Sequence, residues 1–244
     1  ALVVIRIEFA DGSKEFYQMP LAQLERVEDQ KQYLKQTPSM VLIQVPGSVF
    51  IVDAVPLPAF RRALYEMIRN GVDTHDGINC ECGKLLRRAP KTMDSVVPSI
   101  DTSNTAIIYG DKYFFKLFRK LDPGLNPDLE LVRYLSEKTE FANCPPYGGS
   151  LGVGEMTDPN YLNLGMLSGK VDNRGDAWEY FQELTARYFT TEEKVDEETL
   201  SRARLLGQRT AEMHHALAQG TGDILKHTPL TADYPAEIHT AAKK

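Results

Sequence analysis

The sequence has 244 residues, 42% of them hydrophobic and 25% charged, and 28 lysines and arginines against 34 aspartates and glutamates give a net charge of −6. That length supports one or two domains with a core that needs no disulfide or metal staple. The balance excludes a disordered chain, a collagen-like fibre and a coiled coil; the lack of any run of about 18 apolar residues excludes a membrane span, and the lack of a basic block excludes binding of bulk nucleic acid.

The first residues have neither a cationic start nor a long apolar run, so they do not read as a signal peptide. Val3, Ile5, Ile7 and Phe9 alternate with Val4, Arg6 and Glu8, which predicts a half-buried strand. Asp11-Gly12-Ser13 is a turn signal, and residues 14–19 pair back as a second strand that Pro20 ends. Residues 23–35 are polar and belong on the surface. Residues 40–45 and 49–55 read as antiparallel strands around a Pro46-Gly47 turn. Residues 57–70 form a helix with Leu57, Phe60, Leu64, Met67 and Ile68 on one face, Arg61 off it, and Gly71 as its stop. Residues 1–70 therefore read as a small β-rich unit plus a helix.

Residues 71–99 have little period and read as a connector with short structure. Residues 104–109 and 112–120 form a hairpin, with Gly110-Asp111 as a type II′ turn. Asn126 caps a helix to about Lys138, with Pro127 in its first position and Asp128 and Glu130 at its positive end. The glycine-rich residues 145–154 read as a loop entering a strand, and residues 161–167 as another strand. Asp176 and Glu179 form a capping box for a helix over 177–189, and a second helix covers 197–219.

Cys80, Cys82 and Cys144 form an odd set, with Cys80 and Cys82 too close for an ordinary disulfide and only His75 nearby as a further metal ligand. They read as free thiols in a reducing cytoplasm, not as a zinc site. His214 falls on the helix face with Thr210 and Leu217, which predicts a core histidine. Trp178 reads as a packing residue.

Lys116 carries the most chemical information. It shares a strand face with Phe114 and Phe118, so its ammonium either snorkels to water or meets an anion. In the second case Glu130 is its natural partner, since a strand lysine held by a carboxylate on the next helix is how kinases grip nucleotide phosphates. Ser103-Asn104-Thr105 ahead of the hairpin can wrap an anion, although such triplets are common in turns. The glycines at 149–154 and 165–169 fit neither a dinucleotide fingerprint nor a P-loop.

Several longer runs carry a resemblance. They are Ser103 to Asp111, Phe115-Lys116-Leu117-Phe118-Arg119, Asp122 to Glu130, Gly175-Asp176-Ala177-Trp178-Glu179, Thr210-Ala211-Glu212-Met213-His214 and, further upstream, Val52-Asp53-Ala54 with Phe60-Arg61-Arg62-Ala63-Leu64. Together they resemble the maltokinase family, whose fold is similar to those of aminoglycoside phosphotransferases and protein kinases. The resemblance implies an α+β fold: a β-rich N-terminal cap with a helix over residues 1–95, a kinase-like nucleotide-binding N-lobe over 96–171, and the first helices of an α-helical C-lobe over 172–244. It implies transfer of the ATP γ-phosphate, with Mg2+, to the anomeric hydroxyl of maltose. It also implies a trehalose synthase domain as a partner in cis or in trans.

On the same resemblance Ser103, Asn104 and Thr105 cover the phosphates and Lys116, with Glu130, grips them. Met166, Leu167, Ser168 and Gly169 form the hinge strand beside adenine. The sequence departs from the family at Ala106 and at Ser168-Gly169-Lys170, and none of the five histidines is followed by the Gly-Asp of the family's catalytic loop. Catalytic and metal-holding residues are therefore expected outside this chain, which alone is expected to be inactive. The competing expectation is a non-catalytic kinase-like docking module. Unpartnered faces on the last helices predict aggregation or a homodimer.

Overall fold

In the computed structural model, which describes residues 1–45, 49–71, 73–74, 77–98, 103–191, 196–220 and 234–241, the alternating N-terminal residues form β1 (Leu2–Glu8), paired antiparallel with β2 (Lys14–Leu24). Pro20 does not end β2. It stands where the pairing of β2 passes from β1 to β4 (Phe50–Asp53), so its missing N–H interrupts neither ladder. β3 (Val41–Gln44) completes the order β1-β2-β4-β3; the expected Pro46-Gly47 turn lies outside the described residues. The polar stretch expected only as surface supplies the end of β2 and α1 (Val27–Gln36). Tyr33 anchors α1, buried with Leu24, Phe50 and Val52, and its hydroxyl donates to the Asp53 carbonyl at 2.7 Å.

The second sheet has six strands in the order β5-β10-β11-β8-β7-β6. These are β5 (Ile78–Cys82), β6 (Ser95–Val96), β7 (Thr105–Tyr109), β8 (Tyr113–Leu117), β10 (Tyr147–Val153) and β11 (Leu162–Gly169). Every pairing among them is antiparallel. The short structure expected in the connector is β5 and β6, and one expectation is corrected: the glycine-rich loop is the strand β10. Its glycines are there because neighbours approach too closely for a side chain. A Cβ on Gly149 would lie 2.4 Å from the Glu81 carbonyl oxygen, and one on Gly152 would lie 2.1 Å from the Tyr161 hydroxyl. The β7–β8 turn has positive φ at both Gly110 and Asp111, which makes it type I′, not II′.

β9 (Lys120–Leu121), directly after β8, leaves this sheet and pairs with β2 of the first one. α2 (Pro58–Asn70) buries Leu64, Tyr65 and Ile68 against the six-stranded sheet, and Gly71 takes the left-handed conformation that stops it. Arg61 was expected off the apolar face but is buried. Its guanidinium donates to the carbonyls of Val55 and Pro56, both at 2.8 Å, and to the hydroxyl and carbonyl of Ser95 at 2.8 and 3.2 Å. α3 (Pro127–Lys138) starts as expected, the Asn126 side chain accepting from the Asp128 N–H at 2.9 Å.

These elements form one compact unit, residues 1–138 with 144–174; residues 139–143 with 175–244 form a second. The second holds α4 (Ala177–Thr191), α5 (Glu197–Ala218) and α6 (Tyr234–Ala241). Asp176 caps α4 through the Glu179 N–H and Asp196 caps α5 through the Thr199 N–H. α5 buries none of its residues, and His214 is exposed, which corrects the expected core histidine. Along α4, Trp178 and Phe189 are 73% and 77% exposed.

Candidate functional site

β8 places Tyr113, Phe115 and Leu117 in the core and turns Phe114 and Lys116 to its other, half-buried face. Register fixes the neighbours of Lys116: Ala106 of β7 lies opposite on one side and Met166 of β11 on the other. Ser150 follows opposite Met166, and Glu81 opposite Ser150. Directly opposed residues project from one face of a sheet, so these five form a row across it.

The Lys116 ammonium does meet an anion, at the start of α3. The partner is Asp128, at 2.6 Å, not the expected Glu130. Asp128 is the second residue of α3, and its N–H is held by the Asn126 cap. Glu130, two residues further on, has its Oε1 buried without a hydrogen-bond partner, and burial raises its carboxyl pKa above the ordinary value. The strand cation therefore holds the first of the two carboxylates in this helix turn.

Ser103 is exposed, and Thr105 is the first residue of β7. The Thr105 hydroxyl accepts a 2.8 Å hydrogen bond from Arg119 Nε, and Arg119 Nη2 lies 2.9 Å from Asp53 Oδ2. Met166, Leu167, Ser168 and Gly169 are all buried in β11, opposite Lys116, Phe115, Phe114 and Tyr113 in turn. After them Lys170 is pinned at 2.9 Å to both Asp111 and Asp172. The structure thus brings Lys116 and Met166 side by side and sets Thr105 one strand away.

Sequence reasoning missed two features. The Asp53–Arg119–Thr105 chain joins the two sheets, and a polar network lies at the far end of the row. There Arg133 on α3 meets Glu81 at 2.6 Å, and the Tyr147 hydroxyl contacts Glu81 at 3.1 Å and Ser150 at 2.9 Å. Neither partner of Arg133 could be read, because β5 and β10 did not read as strands. Burial pushes the Cys80 thiol up to about 11, so it is no nucleophile at neutral pH. Among the described residues no three His, Cys, Asp or Glu side chains gather to hold a metal ion, and no helix is long and apolar enough to cross a membrane.

No model of a known protein family matches the sequence. Solved structures do match. A glucosamine kinase in complex with glucosamine, ADP and inorganic phosphate superposes with a TM-score of 0.58 at 18% identity, over 99% of this chain and 50% of its own. The chain has a fold similar to that of a sugar kinase. Two further glucosamine kinase structures, crystal forms A and B, each give a TM-score of 0.56, at 18% and 17% identity. The chain spans about half the length of these proteins, 49% and 50% in the two crystal forms.

Proposed function

We propose that this chain carries the nucleotide-binding part of an ATP-dependent sugar kinase. The observation that carries the reading is the Lys116 ammonium, held 2.6 Å from a carboxylate at the first turn of the following helix, on a half-buried sheet face. A fold similar to that of a glucosamine kinase supports it. In this reading residues 1–95 are a cap, 96–171 the N-lobe and 172–244 the beginning of the C-lobe. Phosphoryl transfer asks the protein mainly for positioning and for neutralising charge on the phosphates. Lys116 supplies the charge, and Asp128 holds the ammonium in place until a phosphate shares it. Glu130, two residues after Asp128, is the second carboxylate of the same helix turn. Ser103, Asn104 and Thr105 donate to phosphate oxygens, and residues 166–169 flank the base. The carboxylates that would hold Mg2+ on the nucleotide phosphates are expected outside this chain.

For the acceptor we propose maltose, phosphorylated at its anomeric hydroxyl, on the strength of the sequence runs from Ser103 to Glu130; trehalose synthase and a reducing cytoplasm follow as partner and place. The solved glucosamine kinases favour an amino sugar as the second reading. The test is a MgATP titration of the full-length protein followed by phosphorylation of maltose and glucosamine in parallel. Saturation at about 100 times Kd stabilises a protein by about 2.7 kcal/mol, read as a rise in melting temperature that Lys116→Ala abolishes. No nucleotide-dependent shift, with turnover intact in Lys116→Ala, overturns the kinase reading. Association with a trehalose synthase without any turnover would favour the docking module.

A further inference from the structure

β1 is an edge strand: among the described strands its one neighbour is β2. The ladder between them decides which main-chain groups face the open side. Ala1 exchanges both main-chain hydrogen bonds with Leu21, at 2.7 and 2.8 Å, and the Phe9 N–H donates to the Ser13 carbonyl at 2.9 Å. With an unbroken register between these two ends, the odd-numbered residues bond β2. Leu2, Val4, Arg6 and Glu8 therefore turn their N–H and C=O groups away from it. Leu2 and Val4 are half-buried and line a cavity with Phe60 and Met67 of α2, whereas the residues from Ile5 onward are exposed. The free part of the edge is Ile5 to Phe9.

Its side chains divide between two faces. Ile5, Ile7 and Phe9 are exposed on one. Arg6 and Glu8 are exposed on the other, and neither closes an ion pair among the described residues, although Lys14 of β2 stands opposite Glu8. Edges protected against pairing carry lysine, proline or a bulge. β1 has none of these, and its two charges are of opposite sign, two residues apart.

We infer that β1 is a docking edge for a second copy of this chain, the two β1 strands pairing antiparallel about a two-fold axis at Ile7. In this register Arg6 faces Glu8 of the second copy, and Glu8 faces its Arg6. Both pairs join residues whose main chain is turned outward, so each pair exchanges its N–H and C=O bonds. On the other face Ile7 meets its own counterpart, and Ile5 meets Phe9 of the second copy. A shift of two residues in either direction sets arginine against arginine or glutamate against glutamate, which like-charge repulsion opposes. A shift of four toward Leu2 draws on the half-buried residues and leaves both charges opposite apolar side chains. The strand is thus complementary to itself, and the two-fold axis uses each contact twice. The pairing is independent of the kinase reading.

The experiment is sedimentation equilibrium of full-length protein carrying Trp178→Glu and Phe189→Glu, so that association through α4 does not contribute. On that parent, Arg6→Glu and Glu8→Arg each turn two opposite-charge pairs into like-charge pairs, and each is expected to raise the dimer Kd about tenfold or more. An equimolar mixture of the two variants restores opposite charges between unlike copies and is expected to dimerise at least as well as the parent. Misfolding of either variant could not produce that recovery. Ile7→Cys is expected to give a disulfide-linked dimer on mild oxidation, because residues opposed in a non-hydrogen-bonded pair lie about 4.5 Å apart at Cα. Ile5→Cys faces Phe9 instead and is expected to link no more than the parent does. A parent that is monomeric at every concentration, a mixture no more associated than its two components, or Ile5→Cys linking as readily as Ile7→Cys overturns the inference.

Discussion

Replacing Glu130 by glutamine removes a carboxylate that folding has partly taken out of water without giving its buried Oε1 a partner. A buried polar group left unsatisfied costs about 1–3 kcal/mol, and more if charged. Glu130 retains some solvent, and screening brings the expected gain for Glu130→Gln to about 1 kcal/mol at pH 7. The sign follows from the titration. Burial raises the folded pKa above its ordinary value of 4.5, so the folded state binds the proton more tightly than the unfolded chain does. The native glutamate therefore gives its full stability below about 4.5 and loses stability as pH rises through the raised value. Glutamine does not titrate. Urea midpoints of the two proteins should differ in favour of Glu130→Gln at pH 7 and draw together below pH 4. A variant that is less stable than wild type at pH 7, or whose advantage is the same at both pH values, refutes the unpartnered carboxylate. If Glu130 serves Lys116 once nucleotide is bound, the same variant gains stability and loses ATP turnover, the usual exchange at a functional site.

Gly149→Ala drives a Cβ to 2.4 Å from a backbone carbonyl that cannot swing aside, and should cost more than about 2 kcal/mol and separate β5 from β10; unchanged amide exchange along Ile78–Cys82 would contradict this. Arg61→Met strands four acceptor contacts and should cost about 2–4 kcal/mol, with Arg61→Lys recovering less than half because an ammonium cannot fork; thermal unfolding of both variants decides. The 244-residue chain should self-associate in sedimentation, and Trp178→Glu with Phe189→Glu should reduce that association. A monomer at all concentrations would refute the role given to this α4 face.

The parts of the fold written in local chemistry were legible. Alternation marked β1, and the apolar stripe and Gly71 marked α2 and its end. The caps Asn126 and Asp176 marked α3 and α4. β10 was not legible, because its glycines record the approach of Glu81, Ile68 and Tyr161, which are distant in sequence. Arg61 fails for the same reason: its burial depends on carbonyls at Val55 and Pro56 and on Ser95, which periodicity cannot see. At the site, the need of Lys116 for an anion could be read from its apolar strand face. Which of two carboxylates would supply it could not, since Asp128 and Glu130 stand two residues apart in the same helix turn and their sequence pattern does not say which meets the strand.

The order of strands has a consequence for synthesis. Among the described strands β5 has one neighbour, β10, and β2 is not fully paired until β9 exists. During translation at 5–20 residues per second, β5 waits roughly 3–14 s for its partner. Over that interval the newly made half presents open strand edges, the form in which chains pair with each other. A nascent-chain binder that shields residues 78–82 should therefore matter more to the yield of this protein than any gain in the stability of its finished core.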